Sequence, residues 1–243
     1  MIPARSGFRL PRSGILFLAV PDAAVREMAS RIAEMGPSPD LAVVHVSGAL
    51  GLDALDALPK NPRGSFHPLQ SFPAPRGWDA FKGITIAVDA STPELLRSLK
   101  KLARQLAASP RRVRDSERAL YHAAAVFASN YVIASVAEGV RQLERAGWQR
   151  NEAEHALLPL LEGAVANLKW QGLVKALTGP IRRGDVETVE RHLEAVENPD
   201  LYRMLGLAAL GIAKEAGLQP AAAERTRRAL TRKRAATRRR SGR

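Results

Sequence analysis

The chain has 243 residues, 46% hydrophobic and 5% aromatic, so it is long enough for one large domain or two smaller ones around a core of alanine, leucine and valine. It contains no cysteine, which excludes disulfides, thiolate metal sites and a cysteine nucleophile. The formal net charge is +13, but residues 224–243 hold ten basic residues against one acidic residue, which accounts for +9 and leaves +4 for the rest.

The basic character therefore belongs to the C-terminal end of the chain. Such a run predicts a solvated, disordered tail, here residues 221–243, which starts as a helix and then frays and which attracts polyanions without sequence preference. Nucleic-acid binding through this tail is one reading of the chain, but it rests on charge alone, and we expect no specific nucleic-acid partner. At the other end, three arginines precede the apolar residues 14–20, which resemble a short targeting sequence without a persuasive cleavage site. We therefore expect a cytoplasmic protein.

The first half of the chain alternates short apolar runs with amphipathic segments. A continuous apolar run is typical of a strand that is buried on both faces, and amphipathic segments between such runs predict crossover helices. The alternation therefore predicts a parallel sheet. The predicted strands are residues 15–20, 41–46, 65–67 and 84–88, and the predicted helices are 22–35, 52–58 and 93–107.

Polar side chains follow three of the predicted strands. Ligands on parallel sheets bind at the carboxyl ends of the strands. Those ends are Val20-Pro21-Asp22, Ser47-Gly48-Ala49 and residues 67–70, and all three combine small or rigid residues with polar ones. This composition is typical of a cleft. The alternative is that these residues only stop strands, cap helices and form turns, with Ser47 in a side-chain turn.

Residues 109–114 (SPRRVR) predict a domain boundary, because a proline and a run of bases separate two kinds of pattern. The sequence therefore predicts an α/β domain over residues 1–109 and an all-helical domain over 110–220. The central element of the second domain is residues 115–147, apolar nearly all round, which predicts a buried helix. Its polar side chains, among them His122 and Asn130, must be hydrogen-bonded in the core or line a site.

The combination of segments resembles a known family. The chain carries, in this order, FLAVPDAAV, HVSGALGLDAL, GSFHPLQSF, YHAAAVFASNY and ALTGPIRRGDVETVERHL. Together these resemble bacterial oxidoreductase-like proteins that pair an N-terminal Rossmann-like NADP-binding domain with a C-terminal helical domain of unknown function. They are similar to 6-phosphogluconate and β-hydroxyacid dehydrogenases, pyrroline-5-carboxylate reductase and prephenate dehydrogenase. The resemblance covers the chain from about residue 14 to about residue 218.

The resemblance implies a fold of class α/β plus all-α: a truncated Rossmann-like parallel sheet, followed by a helical domain like the C-terminal domain of 6-phosphogluconate dehydrogenase. It implies NADP as the cofactor, and hydride transfer to or from a small carbonyl, imine or hydroxy-acid substrate. The family's glycine-rich G-x-G-x-x-G turn is absent from the sequence. Either the chain starts late, through truncation or a misplaced start, or the protein has lost this phosphate cradle. A shortened sheet would also leave residues 15–20 as an apolar edge strand, which self-association could cover.

The resemblance also assigns cofactor-binding residues. Val20, Pro21 and Asp22 are expected beside the ribose and nicotinamide end of the cofactor. Ser47 and Gly48 are expected to meet the nicotinamide amide or the substrate.

Three residues are candidates for catalysis. His67 stands at a strand end and can donate or accept a proton, although a structural histidine is the alternative. His122 and Asn130 are eight positions apart, about 12 Å along a helix, so they could bracket a substrate but cannot hold the same atom. The related dehydrogenases have a lysine four residues before this asparagine, and here that position is Val126.

A loop in the helical half is the candidate substrate-binding segment. Thr178, Gly179 and Arg182 resemble a loop that lines the interdomain site of the family, where Arg182 could clamp a carboxylate. The alternative is a helix-ending turn with a solvated arginine. His45, His155 and His192 are interpreted as structural or solvent-facing. No His/Asp/Glu cluster has metal-ligand spacing, so we expect no metal site.

Two classes of function remain open: an NADP-dependent oxidoreductase acting on a small molecule, and a non-catalytic dimerising or binding protein derived from the same family. The missing glycine turn and the missing lysine favour the second. In either case we expect a homodimer through the helical domain, because the long apolar helix needs more cover than one small domain gives. We expect no membrane partner, because this helix is alanine-rich and holds His122 and Asn130.

Overall fold

The computed structural model describes residues 9–232, and the chain divides into two compact units, one ending at Ile133 and the other beginning at Ala134. The first unit contains a five-stranded sheet in the order β1-β2-β3-β4-β5. This architecture confirms the predicted class, α/β plus all-α. The strands are β1 (Gly14–Leu18), β2 (Leu41–His45), β3 (Arg63–Pro68), β4 (Thr85–Ala90) and β5 (Ser109–Arg112).

The sheet is mostly parallel. β1 pairs with β2 and β2 with β3 in parallel, but β3 and β4 are antiparallel. A parallel connection needs a crossover of a dozen or more residues, usually a helix. The segment between β3 and β4 contains two prolines and a 3₁₀ turn, Trp78–Phe81, and returns the chain in the opposite direction. The predicted parallel sheet is confirmed for the other three strand pairs and was wrong at this pair.

β2 explains why the sheet is covered on both faces. All five of its residues are buried, and successive side chains of a strand point to opposite faces. Ala42 and Val44 pack into one core with α2 (Pro93–Gln105). Val43 packs into the other core with α1 (Asp22–Glu34). Burial of each large apolar side chain contributes about 1.5–3 kcal/mol, so these two cores position the strand ends firmly.

The boundary between the units differs from the predicted one. Residues 109–112 form β5, which pairs in parallel with β4, instead of a linker. The 3₁₀ turn Asp115–Glu117 and α3 (Arg118–Ala128) also belong to the first unit, so the division falls after Ile133 and not after residue 109. The pattern missed β5 because a four-residue strand of Ser, Pro and two Arg has no apolar alternation.

The second unit is helical. Val189, Ala229 and Leu230 are the buried residues of its apolar core, with Ile181 and Tyr202 packed against them. A Cβ on Gly206 would lie 2.7 Å from Leu230, so glycine allows close packing there. The helices are α4 (Asn130–Arg145), α5 (Arg150–Ala176), α6 (Gly179–Arg183), α7 (Val186–Ala195), α8 (Pro199–Glu215) and α9 (Pro220–Thr231).

The long helix predicted over residues 115–147 is broken, and most of it is exposed. The break is at Ser129, with φ −128° and ψ −74°, and its hydroxyl donates 2.7 Å back to the Ala125 carbonyl. On α3 and α4 only Arg118 and Val140 are buried. The prediction of a buried central helix was therefore wrong for this chain by itself. An all-round apolar pattern predicts that a helix is covered. It does not tell whether the same chain or another molecule covers it.

The same stretch meets the length and composition criteria for a membrane span. It runs over Asp115–Arg145 with a mean hydropathy of 1.4, and 6% of its most apolar window is buried. Helices of soluble proteins pass the same test.

The C-terminal region is more ordered than predicted. Residues 220–231 form α9, which buries Ala223, Thr226, Ala229 and Leu230, so the predicted disordered tail does not begin at residue 221. Alanine and leucine recurring at helical spacing outweigh the arginines between them. The rest of the predicted tail, residues 233–243, lies outside the described residues.

Candidate functional site at the carboxyl edge of the sheet

The ends of β1, β2 and β3 lie at one edge of the sheet, because these strands are parallel neighbours. A hydrogen bond joins the first two ends: the Ser47 hydroxyl donates to Asp22 Oδ2 over 2.7 Å. Ser47 Oγ in turn accepts the backbone N–H groups of Ala49 and Leu50 at 3.1 and 3.0 Å, so Ser47 also forms the predicted side-chain turn. Pro21 is the N-cap residue of α1, and Val20 is half-buried behind it.

A histidine–tyrosine pair occupies the end of β3. His67 Nδ1 lies 2.7 Å from Tyr121 Oη on α3, and the two rings meet edge to face with centroids 5.6 Å apart. Tyr121 is three residues after Arg118 and one before His122, so the first turns of α3 bring all three side chains towards this edge.

Gly48 lies directly beneath two imidazoles. A Cβ at this position would lie 2.8 Å from His67 Nε2 and 3.1 Å from His122 Nδ1. The two nitrogens are therefore at most 5.9 Å apart (2.8 plus 3.1 Å). Three predicted site residues, Gly48, His67 and His122, are thus brought together, and only glycine allows this approach.

The histidine–tyrosine pair is uncharged at neutral pH. Burial lowers the pKa of His67 to about 4, with His122 and Arg118 adding to the effect. Burial raises the pKa of Tyr121 to about 12, against an opposing effect of Arg118. A neutral phenol and a neutral imidazole then share one hydrogen bond. Because Tyr121 Oη is the stronger donor, its O–H donates to Nδ1, and the remaining imidazole proton is on Nε2.

Arg118 contacts the site from the interior, and its role was not predicted from the sequence. Its side chain is buried, and its Nη2 donates to Ser65 Oγ on β3. Its Nε donates to Asp115 Oδ1 at 3.1 Å, and the Asp115 carboxylate also accepts the Leu52 N–H. The spacing of Arg118, Tyr121 and His122 on one helical face was the only available signal.

His45 is buried in the same neighbourhood, at the end of β2. Its Nε2 lies 3.2 Å from the carbonyl oxygen of Gly51, and because a carbonyl only accepts, Nε2 is the donor. Burial, followed by the charge of Arg118, lowers the pKa of His45 to about 4. The interpretation of His45 as structural agrees with this placement.

Buried polar atoms without partners concentrate here. Among the described residues the side-chain atoms of this kind are His45 Nδ1, Arg118 Nη1, His122 Nδ1 and Arg203 Nε. The first three belong to residues of the first unit at this edge. Leaving such an atom without a hydrogen bond costs about 1–3 kcal/mol. Concentrated unsatisfied polarity of this kind is typical of functional sites rather than of packing cores.

The other predicted site residues are elsewhere. Asn130 is exposed, and its side-chain oxygen lies 2.8 Å from Ser129 Oγ. Thr178, Gly179 and Arg182 belong to the second unit, where Thr178 is the N-cap of α6 and Gly179 has φ +90°. Arg182 Nη2 donates 2.9 Å to the Ala216 carbonyl at the C-terminus of α8, a position that the helix dipole favours for a cation.

The residues at this edge of the sheet suit the nicotinamide end of a dinucleotide but not its pyrophosphate. The imidazoles of His67 and His122, which lie against the bare backbone of Gly48, suit contact with a flat nicotinamide ring. A pyrophosphate needs a glycine-rich turn at a helix N-terminus. The helix that follows β1 instead begins with the Asp22 carboxylate, which repels phosphate. The described residues contain no group of three or more His, Cys, Asp or Glu residues that could hold a metal ion.

The sheet and its crossover helices define a Rossmann-like α/β unit joined to a helical region, which is the fold of a large class of oxidoreductases. Within that class the chain belongs to the family Domain of unknown function (DUF2520), which matches residues 84–209. No curated protein matches the chain.

Solved structures share the fold. Protein TM1727 of Thermotoga maritima is 24% identical, with a TM-score of 0.72 over 86% of this chain and 81% of that one. A Bacteroides fragilis protein provisionally described as an NADP oxidoreductase is 24% identical, with a TM-score of 0.67 over 84% and 77%. A 1-pyrroline-5-carboxylate reductase of Streptococcus pyogenes is 11% identical, with a TM-score of 0.53 over 83% and 75%.

Proposed function

We propose that this protein is a cytoplasmic NAD(P)-dependent oxidoreductase that acts on a small carbonyl, imine or hydroxy-acid substrate. The observation that carries the proposal is the uncharged His67–Tyr121 pair, which lies over the bare backbone of Gly48 at the carboxyl edge of β1–β3. The fold supports it, since proteins similar to this chain are described as NADP oxidoreductases and pyrroline-carboxylate reductases.

The protein's part in the reaction is binding, orientation and proton transfer. A bound nicotinamide supplies or accepts the hydride. Gly48 lets the His67 and His122 imidazoles lie against its backbone, and the Ser47–Asp22 hydrogen bond fixes the loop beside them. Val20 and Pro21, at the end of β1, are the other candidates for contact with the cofactor. His67 Nε2 carries the proton exchanged with the substrate. His122 provides a second imidazole beside Gly48. Asn130, in the first unit, is a candidate for substrate contact, and Thr178, Gly179 and Arg182 are separate candidates in the second unit.

A calorimetric titration with NADPH and with NADH tests the cofactor. We expect micromolar binding of at least one of them by the unmodified chain. Gly48→Ala should weaken it by at least tenfold, about 1.4 kcal/mol, because the methyl group fills the space beside His67. The matched control is Gly211→Ala, where a Cβ meets nothing within 4 Å. Absence of binding by the unmodified chain would overturn the proposal.

A second candidate function, a dimerising protein, is favoured by α5. Between Arg150 and Ala176, where Gly172 breaks the helix, only Ala153 is buried, while Leu160 is 70% and Trp170 79% exposed. A helix that is apolar all round is stable in water only when something covers it. We infer that a second copy of the chain covers α5. Burial of each such side chain contributes about 1.5–3 kcal/mol.

Light scattering after size exclusion tests this inference. The unmodified chain should have twice the monomer mass of 26.3 kDa, and Trp170→Glu should reduce it to the monomer. The matched control is Trp78→Glu, which changes an exposed tryptophan in a loop of the first unit and should leave the dimer intact. A monomeric mass for the unmodified chain at micromolar concentration would contradict the dimer, and would also remove the main support for the non-catalytic alternative.

A further inference from the structure

Arg118 is an unusual residue to find in the interior. Its residue exposure is 2%, and arginine is almost never fully buried unless its charge is paired. The side chain reaches from the first turn of α3 to β3, where it meets Ser65, the residue two positions before His67. The guanidinium of Arg118 is therefore buried beside β3 and is not exposed at the surface of the site.

The charge of Arg118 is only partly compensated. Of its three nitrogens, Nε faces a carboxylate, Nη2 faces a neutral hydroxyl, and Nη1 is buried without a partner. The single carboxylate is Asp115, whose side chain is 49% exposed, so solvent screens part of its charge. An arginine that only anchored α3 to the sheet would be better satisfied by its surroundings.

Charged and titratable groups face the His67–Tyr121 pair from every neighbouring element. Arg118 and His122 come from α3, Asp115 from the turn before it, His45 from the end of β2 and Asp22 from the start of α1. Asp22 favours a charged His67, whereas Arg118 and His122 disfavour it. Arg118 also favours the anionic form of Tyr121. Of these groups only Arg118 has a fixed positive charge, and it acts on both members of the pair in the direction of fewer protons.

We propose that Arg118 is a positioning residue that disfavours a charged His67 and stabilises the Tyr121 phenolate, and so makes Tyr121, rather than a charged histidine, the proton reservoir of the site. An anionic oxygen or nitrogen of the substrate takes the proton from His67 Nε2, so that the N–H bond breaks and an O–H or N–H bond forms on the substrate. His67 Nδ1 then takes the proton of Tyr121 Oη. The imidazole is neutral before and after, and the new phenolate is balanced by the Arg118 guanidinium.

The relay rests on the proposed function, but the electrostatic role of Arg118 does not, so the two can be tested apart. The test is a titration of the full chain without cofactor. The charge of His67 is followed through its Cε1 proton in nuclear magnetic resonance spectra, assigned with His67→Gln among five histidines. Ionisation of Tyr121 is followed by tyrosinate absorbance, assigned with Tyr121→Phe among three tyrosines.

Arg118→Met should raise the titration midpoint of His67 by about one pH unit and also raise that of Tyr121, because a positive charge is lost. Arg118→Lys should restore most of both shifts, which a purely steric role would not predict. The matched control is Arg203→Met: Arg203 is also largely buried, pairs with one carboxylate, Asp200, and keeps Nε without a partner. It lies in the second unit and should move neither midpoint.

Unchanged midpoints in a folded Arg118→Met variant would overturn the proposal. If that variant does not fold, Asp115→Asn provides the test of the proposal. This change keeps Arg118 and removes the one carboxylate that it contacts among the described residues. Tyr121 should then titrate at a lower pH than in the unmodified chain, and a higher or unchanged midpoint would reject the role of Arg118. If the midpoints move as expected but neither NADPH nor NADH binds, the oxidoreductase proposal fails while the electrostatic role stands.

Discussion

Two histidine–tyrosine pairs of nearly the same geometry lie in the two units of this protein. The distance from Nδ1 to Oη is 2.7 Å in His67–Tyr121 and 2.8 Å in His192–Tyr202. The ring centroids are 5.6 and 5.7 Å apart, with interplanar angles of 89° and 86°. The surroundings differ. His67 is partly buried beside His122 and Arg118, whereas His192 is on an exposed face of α7. The contact alone therefore does not make a site; burial and neighbouring charge do.

The largest expected difference between the two regions comes from Gly48. Gly48→Ala places a Cβ 2.8 Å from the His67 ring, so the imidazole must shift away from Tyr121. Overpacking of this kind lowers the free energy of unfolding by about 1–3 kcal/mol. Urea unfolding followed by circular dichroism measures it. The His192–Tyr202 pair should be unaffected, and Gly211→Ala should be neutral or stabilising. Equal losses in both variants would contradict this view of Gly48.

Removal of the phenol hydroxyl should separate the pairs next. Tyr121→Phe leaves His67 Nδ1 without its partner in a partly buried place, so we expect a loss of about 1–2 kcal/mol in the free energy of unfolding. The measurement is again urea unfolding at neutral pH. A loss below a few tenths of a kcal/mol would mean that water replaces the hydroxyl, and that the pair is less enclosed than the structure indicates.

The dependence of stability on pH should also distinguish the pairs. The folded pKa of His67 is about 4, below its ordinary value of 6.5, so between these values the unfolded chain binds a proton that the folded chain does not. Stability therefore falls as pH falls from about 6.5 to about 4, and His45 contributes in the same direction. His67→Gln should reduce the slope by one proton. An unaltered slope for His67→Gln would exclude a neutral, buried His67.

The smallest effect is expected at the exposed pair. In Tyr202→Phe, water can satisfy His192 Nδ1, because His192 is exposed and the tyrosine ring stays in the core. The free energy of unfolding should change by no more than about 0.5 kcal/mol. Comparison with Tyr121→Phe in the same urea experiment isolates the effect of the surroundings. A loss as large as that of Tyr121→Phe would remove the distinction between the two pairs.

Much of the fold could be predicted from local pattern. The apolar residues of β2 predict a strand with both faces covered, and Pro93 after Thr92 predicts the start of α2, where the Thr92 hydroxyl accepts the Leu95 N–H at 3.3 Å. The ends of β1, β2 and β3 could likewise be placed at one edge. The antiparallel β4 and the strand β5 were missed because strand pairing depends on the path of the intervening chain, which propensity does not encode.

The candidate site was predicted only in part. Gly48, His67 and His122 were identified as separate candidates, and the structure brings them together. Arg118 and Tyr121 were missed, because an arginine and a tyrosine at the start of an apolar helix are ordinary in sequence. Tyr121 meets His67 across 54 positions of the chain, and Arg118 meets Ser65 across 53. Contacts between residues so far apart in the sequence are known only from the folded structure.

The sequence by itself determined the class of the protein: an α/β unit with polar strand ends, then a helical region whose apolar faces must avoid water. Those properties follow from short-range rules, namely the side-chain periods of strands and helices and the conformational limits of proline and glycine. The tertiary structure decided which polar side chains act together and which are charged. A pKa depends on burial and on charges a few ångströms away, and α3 brings those charges to β3 only when the chain is folded.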